Sequence, residues 1–586
     1  MKFPNVPSID VLTTPAVRPD HEVPAPSSRI LPAGHRRNER SRPLEVDMLT
    51  ELNQVLTMRD GVRLRADIYR PTTAEPVPAV IMYSPYGKSG SGFFNLNKFP
   101  LRAGIAEAKL SAYESFEGLD PAEWVPKRYA IINVDNRGTG ESEGVQRCWG
   151  IGEGQDGYDA VEEIARLSWC NGKVAMAGNS WLATSQYFIA AAQPPHLACI
   201  APMEGISDLF REHVCRGGIP ITQFVSPLTS TFIGRGDRED LSGMVEKFPM
   251  INEYWEDKRA RMDLIKVPSY IIASYSTGLH CAGSFRAFEE IGTNEKWLSV
   301  HATQEWYDLY TKERTDDVQC FFDRFMKDAQ NGWEDTPTVR YSFLQFPKPA
   351  ATNVPFSDLP WNLAETSTNK LFLSPEGGLQ TTSPAKAAQV KYQADAPSQN
   401  LDNDPGEVVF SHTFWQATRL TGPATAVLYV ASPDHNDLDI FVQIRKANKN
   451  GKILQCNNMP LSDLGVSSIS EVPSINPLKY LGPQGMLRAS QRAVSQDLSK
   501  ASKTWKTLAQ DREEFVPKGE VVRLEIQLWP AGLAFEAGEQ LALKVSGHNM
   551  VLPEFEVMPP YANCNKGEHI IQTGGDKASH LQFYTI

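Results

Sequence analysis

The sequence predicts an α/β domain carrying a helical insertion, followed by an all-β sandwich. Three observations predict it. Short apolar strands alternate with helical stretches over the first two-thirds of the chain, the pattern of a mostly parallel sheet. A long polar and aromatic stretch, 203–266, interrupts that alternation. From about residue 367 the pattern changes to short alternating strands punctuated by Gly, Pro and Asn, the signature of a sandwich. The 586 residues suggest about three or four units at roughly 100–200 residues each.

Residues 1–45 are rich in Pro, Arg and Ser, lack periodicity, and read as an arm wrapped on the surface. The α/β core spans 46–202 and resumes at 267–366. It opens with Val55–Met58 and Leu64–Tyr69 around Asp60-Gly61, which predicts a β-hairpin. Core strands follow at Ala79–Tyr83, Tyr129–Val134 and Val174–Ala177, with a helix over Gly157–Leu167. After the insertion, strands return at Val267–Ala273 and Trp297–Val300, then a helix near Val318–Met326. An insertion between two core strands reads as a lid. The sandwich spans 367–586, with strands such as Ala426–Val430 and Leu438–Ile444 and one helical segment near Ser499–Lys506.

Composition narrows the function. The net charge is −12 and no Lys/Arg run exists beyond the short cluster Arg36–Arg42, interrupted by Glu39. A nucleic-acid partner, which requires phosphate neutralisation, is not expected. No run of 18 apolar residues occurs, so no membrane-spanning helix is expected. The N-terminus has no apolar h-region, and eight scattered cysteines show no metal-ligand spacing. A cytoplasmic, reducing setting without disulfides, metal or organic cofactor is the expectation. The arm and the sandwich both offer surfaces for a homodimer.

Gly178-Asn179-Ser180-Trp181 follows an apolar strand and precedes a helix over Thr184–Ala192. Strand, sharp turn, Ser, helix is the context of a nucleophile elbow. The turn exposes the serine hydroxyl, and the helix N-terminus aims amides, Trp181 N–H among them, at a developing oxyanion. Leu182 stands where G-x-S-x-G places its second Gly.

At these residues the chain resembles the CocE/NonD (cocaine esterase / X-Pro dipeptidyl-peptidase) family of α/β-hydrolases. The likeness extends over most of the chain from about residue 50. Met58–Leu64 with Ala66–Pro71 resembles the opening hairpin, and Ser84-Pro85-Tyr86-Gly87-Lys88 the loop whose tyrosine completes the oxyanion hole. Asp135–Gly144 is similar to the Arg-Gly-x-Gly-x-Ser-x-Gly signature, and Trp169–Ser180 to the strand entering the elbow. Gly485–Arg492 and Phe535–Leu541 match in the sandwich. The resemblance implies an α/β-hydrolase domain with a C-terminal jelly roll, a Ser180 nucleophile, and an oxyanion hole of Tyr86 and Trp181.

The chain departs from the family at its acid and base. The family's Gly-Trp-Tyr-Asp loop reads Ser274-Tyr275-Ser276-Thr277-Gly278-Leu279-His280, and no Asp or Glu occurs between Leu264 and Phe288. The family's Gly-Pro-Trp-x-His loop reads His301-Ala302-Thr303-Gln304-Glu305-Trp306. Two readings follow. In the first, base and acid have exchanged loops and a Ser180–His280–Glu305 relay activates the serine, with His301 a second candidate base. The substrate is then a small-molecule ester or amide, cleaved through an acyl-enzyme. In the second, the pocket serves acyl transfer, cyclisation, elimination or isomerisation, or only binds. His213 in the insertion, Asp437 and Asp439 in the sandwich, and Gly150–Gly154 are weaker candidates. A lid helix, turn chemistry and a loop outside any dinucleotide-binding context account for them.

Overall fold

The computed structural model describes residues 1–90, 92–397, 402, 404–500, 505–556 and 558–586. Its core is one mixed sheet. In chain order its strands are β1 (Met48–Thr57), β2 (Arg63–Pro71), β3 (Val77–Ser84), β4 (Ala130–Asp135), β5 (Cys170–Asn179), β6 (Leu197–Met203), β7 (Ser269–Ser274), β8 (Lys296–His301) and β9 (Val339–Gln345). They lie in the order β1-β2-β4-β3-β5-β6-β7-β8-β9, antiparallel as far as β2–β4 and parallel from there to β9. Every residue of β3 and β4 is buried, as expected of strands covered by helices on both faces. The covering helices include α1 (Ile151–Ala165), α2 (Trp181–Ala191), α3 (Cys281–Glu290), α4 (Glu305–Leu309) and α5 (Lys312–Met326).

The arm is tied down at two points. Ser27–Leu31 adds an antiparallel strand to β1, and Thr13–Pro15 pairs with Asp237–Glu239 of the insertion. The insertion between β6 and β7 is less helical than expected. Short helices at Val225–Ser230, Leu241–Lys247 and Glu253–Asp257 alternate with a five-residue π-helix, Phe210–Val214. A minimal strand pair, Cys215–Arg216 with Ile219–Pro220, follows it. The paired glycines Gly217 and Gly218, both at positive φ, make that tight reversal.

Two antiparallel sheets form the sandwich. One orders Glu407–Thr413, Gln540–Ser546, Asp439–Ala447 and Gln484–Arg488. The other is built on Thr418–Ala431 and Val522–Phe535, with Glu568–Thr573, His580–Thr585, Ala388–Gln393 and Ser367–Leu373. Val522–Phe535 also reaches the hydrolase sheet, where Leu533 pairs with Leu344 of β9. The Tyr341 hydroxyl donates to Ala531 O at 2.9 Å across the seam, and the Tyr275 hydroxyl holds β9 from the core side by donating to Ser342 O at 2.7 Å. In the segment near Ser499–Lys506, a 3-10 turn covers Leu498–Lys500 and Trp505 and Lys506 are irregular; residues 501–504 lie outside the described residues.

Asp437 and Asp439 serve the sandwich internally. Asp437 accepts from Ser490, while Asp439 holds Arg488 and the Cys564 amide.

Candidate active site

Tyr86, Ser180, His280 and Glu305 stand past the carboxyl ends of the parallel strands β3, β5, β7 and β8, where open α/β sheets bind ligands. Ser180 joins β5 to α2 with φ 54° and ψ −112°, a backbone conformation that costs a non-glycine residue of order 1–3 kcal/mol. Its amide is anchored by Met203 O and Glu204 O, both at 3.2 Å. Leu182 fits here because Gly178 faces it: a Cβ on Gly178 would stand 2.6 Å from Leu182 Cδ2. One glycine thus provides the clearance that the missing second glycine would otherwise share.

Trp181 opens α2, so its N–H has no acceptor within the helix. Its indole stacks on Trp149 at 4.0 Å and points Nε1 at Glu153. It stands behind Tyr86, ring centroids 6.5 Å apart, and supports the cavity wall from outside rather than forming it.

The cavity that Ser180 opens into measures 40 Å³ and lies between the sheet edge, the insertion and the sandwich. Phe94, Phe99, Phe116 and Trp306 supply the core side, Phe224 the insertion and Phe555 the sandwich. Phe224 and Phe555 stack at 5.6 Å and close the roof. The Tyr86 hydroxyl meets Ser180 and Glu117, and burial pushes its pKa well up. The phenol is therefore a neutral donor.

His280 and Glu305 both line this cavity, with His280 Nδ1 3.2 Å from Glu305 Oε2. That is ion-pair distance, although the angle falls short of a hydrogen bond and each atom is otherwise without a partner among the described residues. His280 caps α3, and Glu305 begins α4 under the Gln304 cap. Burial pushes the imidazole below its usual range and the Glu305 carboxyl well above its own. Such a pair titrates as one unit.

His301 is placed elsewhere. Its Nε2 meets Glu204 Oε1 at 2.7 Å and its Nδ1 the Thr303 hydroxyl at 3.2 Å. Both ring nitrogens are occupied and the residue does not line the cavity. His213 is buried, and its ring stands edge-on to Phe224 at 5.7 Å.

Three carboxyls of the site escaped the sequence reading. Glu204 follows β6 at φ 64° and accepts from His301 and from Ser274 at 2.8 Å. Its place at a strand's carboxyl end was the available signal. Glu117 accepts from Trp306 Nε1 at 3.0 Å and its own carbonyl takes the Asn179 amide, in a loop with no periodic pattern to mark it. Glu554 reaches in from the sandwich, accepts from Asn476 at 2.9 Å, and is raised by burial to about 7. Donor atoms of Glu204, His280 and Glu305 lie within 4.8 Å of one another, a set that could hold a divalent cation.

A serine on a strained elbow between a parallel strand and a helix, at the carboxyl edge of this strand order, defines an α/β-hydrolase. Comparison with known proteins then narrows the class. The family described as X-Pro dipeptidyl-peptidase (S15 family) matches residues 60–239, and the X-Pro dipeptidyl-peptidase C-terminal non-catalytic domain matches 331–582. A crystal structure of a CocE/NonD family hydrolase from Staphylococcus aureus superimposes with a TM-score of 0.80 at 29% identity, covering 92% of this chain and 94% of that one. An α-amino acid ester hydrolase shares the fold, with a TM-score of 0.66 at 15% identity over 92% of this chain and 97% of that one. The cocaine esterase of Rhodococcus sp. is 32% identical over 159 residues, 27% of this chain and 24% of the esterase. The chain belongs to the CocE/NonD (cocaine esterase / X-Pro dipeptidyl-peptidase) family of α/β-hydrolases. The matched stretches span about a quarter of the length of the curated relatives.

Among the described residues no helix is long and apolar enough to cross a membrane.

Proposed function

We propose that the chain is a serine hydrolase that cleaves a small-molecule ester or amide through an acyl-enzyme, with an exchanged base and acid. The observation that carries this reading is the His280–Glu305 contact at 3.2 Å in the cavity that Ser180 enters. The serine and esterase names of the relatives support it.

The reading assigns each residue a step. His280, neutral because burial disfavours its charge, takes the Ser180 proton as Oγ attacks the carbonyl. Glu305 fixes the imidazole tautomer and stabilises the imidazolium that forms. The Tyr86 hydroxyl and the Trp181 amide donate to the tetrahedral oxyanion, each contributing roughly 3–4 kcal/mol at the transition state. His280 then protonates the leaving group, and water resolves the ester. Eight free thiols fit a cytoplasmic, reducing setting.

The test is covalent fluorophosphonate labelling and turnover of p-nitrophenyl esters by the wild type and by Ser180→Ala, His280→Ala and His301→Ala. Loss of labelling in the first two variants, with labelling kept in the third, is the expected result. A folded wild type that neither labels nor turns over any ester overturns the reading. A labelled serine that retains its acyl group until a second nucleophile arrives replaces hydrolysis with acyl transfer.

A further inference from the structure

A second chamber, of 340 Å³, lies between the insertion, α3 and the sandwich. Six basic side chains line it against two carboxyls, Glu212 and Glu525, in a chain whose net charge is −12. Five of the six are neutralised in place. Arg211 pairs with Asp208 at 2.8 Å, Arg286 with Glu212 at 3.1 Å and Arg492 with Glu514 at 3.3 Å. Lys506 and Arg523 share Glu525.

Arg216 is the exception. It is 4% exposed, and its Nε and Nη1 are enclosed without any hydrogen-bond partner among the described residues. Its guanidinium carbon lies 4.3 Å from the ring centroid of Trp529, a cation–π contact that supplies no hydrogen-bond acceptor in the plane of the fork. A buried guanidinium without a counter-ion costs several kcal/mol. Two carboxyls act on it at longer range: Glu554, itself held near 7 by burial, and Glu212, which is paired with Arg286, so Arg216 is compensated only in part at neutral pH. The fork of donors fits one kind of partner best: a planar oxyanion taken bidentately.

The chamber adjoins the nucleophile cavity. Gln484 and Trp529 line both the chamber and a neck of 20 Å³, and Asn476 lines both the neck and the nucleophile cavity. All three side chains converge on Gly278, each 3.7 Å from where its Cβ would stand. Gly278 lies two residues before His280. Gly278 thus sits where the linings of the chamber, the neck and the nucleophile cavity meet.

We propose that this chamber receives the carboxylate of an acidic ester or amide substrate, with Arg216 as its direct partner and the substrate chain running past Gly278 to Ser180. The proposal rests on the hydrolase reading for its reaction, but the binding site stands on its own geometry.

The experiment measures kcat/KM for the mono-p-nitrophenyl esters of adipic and suberic acids against p-nitrophenyl hexanoate and octanoate. It uses the full chain as wild type, Arg216→Gln and Arg216→Lys. The wild type should prefer an acidic ester at least tenfold. Arg216→Gln should lower the ratio of acidic to uncharged kcat/KM at least tenfold, with part of that ratio restored in Arg216→Lys. Adipate or suberate should also inhibit wild-type turnover of the uncharged ester competitively, a readout that needs no variant. No acidic preference in the wild type, or an equal fall on both ester classes in Arg216→Gln, overturns the proposal. Calorimetry of suberate on Ser180→Ala separates the two readings. Binding that Arg216→Gln abolishes, in an enzyme that hydrolyses no ester, keeps the chamber and ends the hydrolase reading. Absence of binding ends the chamber whatever the turnover.

Discussion

The nucleophile side and the relay side of the cavity are built by different means. Tyr86, Ser180 and Trp181 are positioned by backbone: a strand end, a strained φ at Ser180, and the first turn of α2. His280 and Glu305 are positioned by side-chain neighbours in a crowded patch of buried acids: Glu117, Glu204 and Glu554 surround them. The first half tolerates little change in sequence, because covalent geometry dictates where the hydroxyl and amides go. The second half needs only an imidazole touching a carboxyl, and two loops can supply them in either order. An exchange of base and acid is accordingly a change that the relay can absorb and the elbow could not.

The largest expected effects break the relay. His280→Ala should lower kcat roughly 10⁴-fold or more, and Glu305→Gln about 10³–10⁴-fold by leaving the imidazole unoriented. Single-turnover kinetics on a p-nitrophenyl ester would read both. A larger loss in His301→Gln than in His280→Ala would transfer the relay to His301 and Glu204 and dissolve the contrast drawn above. Next comes the oxyanion hole. Tyr86→Phe removes one donor and should cost about 10²–10³-fold in kcat with little change in KM. An equal rise in KM would make Tyr86 a wall of the pocket instead.

The smallest effect is on stability. Burial raises Glu554 from the ordinary 4.5 to about 7, so the folded protein binds more protons there than the unfolded chain. Its contribution is fully present below about 4.5 and is lost as pH rises through about 7, at most about 3 kcal/mol. Calorimetric Tm should fall between pH 5 and pH 8, and Glu554→Gln should flatten that slope. An unchanged slope would place the proton elsewhere among the site's acids.

What the sequence made legible follows the same division. Ser180 and Tyr86 were readable because strand, Gly and turn leave local patterns at fixed offsets. The pairing of His280 with Glu305 could be anticipated only because their two loops stood out against the family's motif. Glu117 and Glu554 left no trace: one sits in an irregular loop, the other arrives from the sandwich, hundreds of residues from Ser180. Glu204 carried a faint signal at the end of β6 that went unused. The insertion was legible as helical but not in detail, because its helices run five to seven residues and its π-turn and two-residue strands are too short to produce a period. Arg216 sits in one of those strands, and nothing around it in sequence announces an empty guanidinium.

The pairing of Leu344 with Leu533 makes the two halves of the chain a single mechanical part. Any swing of the sandwich away from the core must break that pairing and the Tyr341–Ala531 hydrogen bond beside it. The same seam bears on engineering. A chain cut after residue 366 would leave β9 paired with Lys348–Phe356, but it would remove the Leu344–Leu533 pairing and take Asn476, Glu554 and Phe555 out of the cavity at one stroke. The sandwich is thus a wall of the reaction vessel, and the whole should melt in one transition.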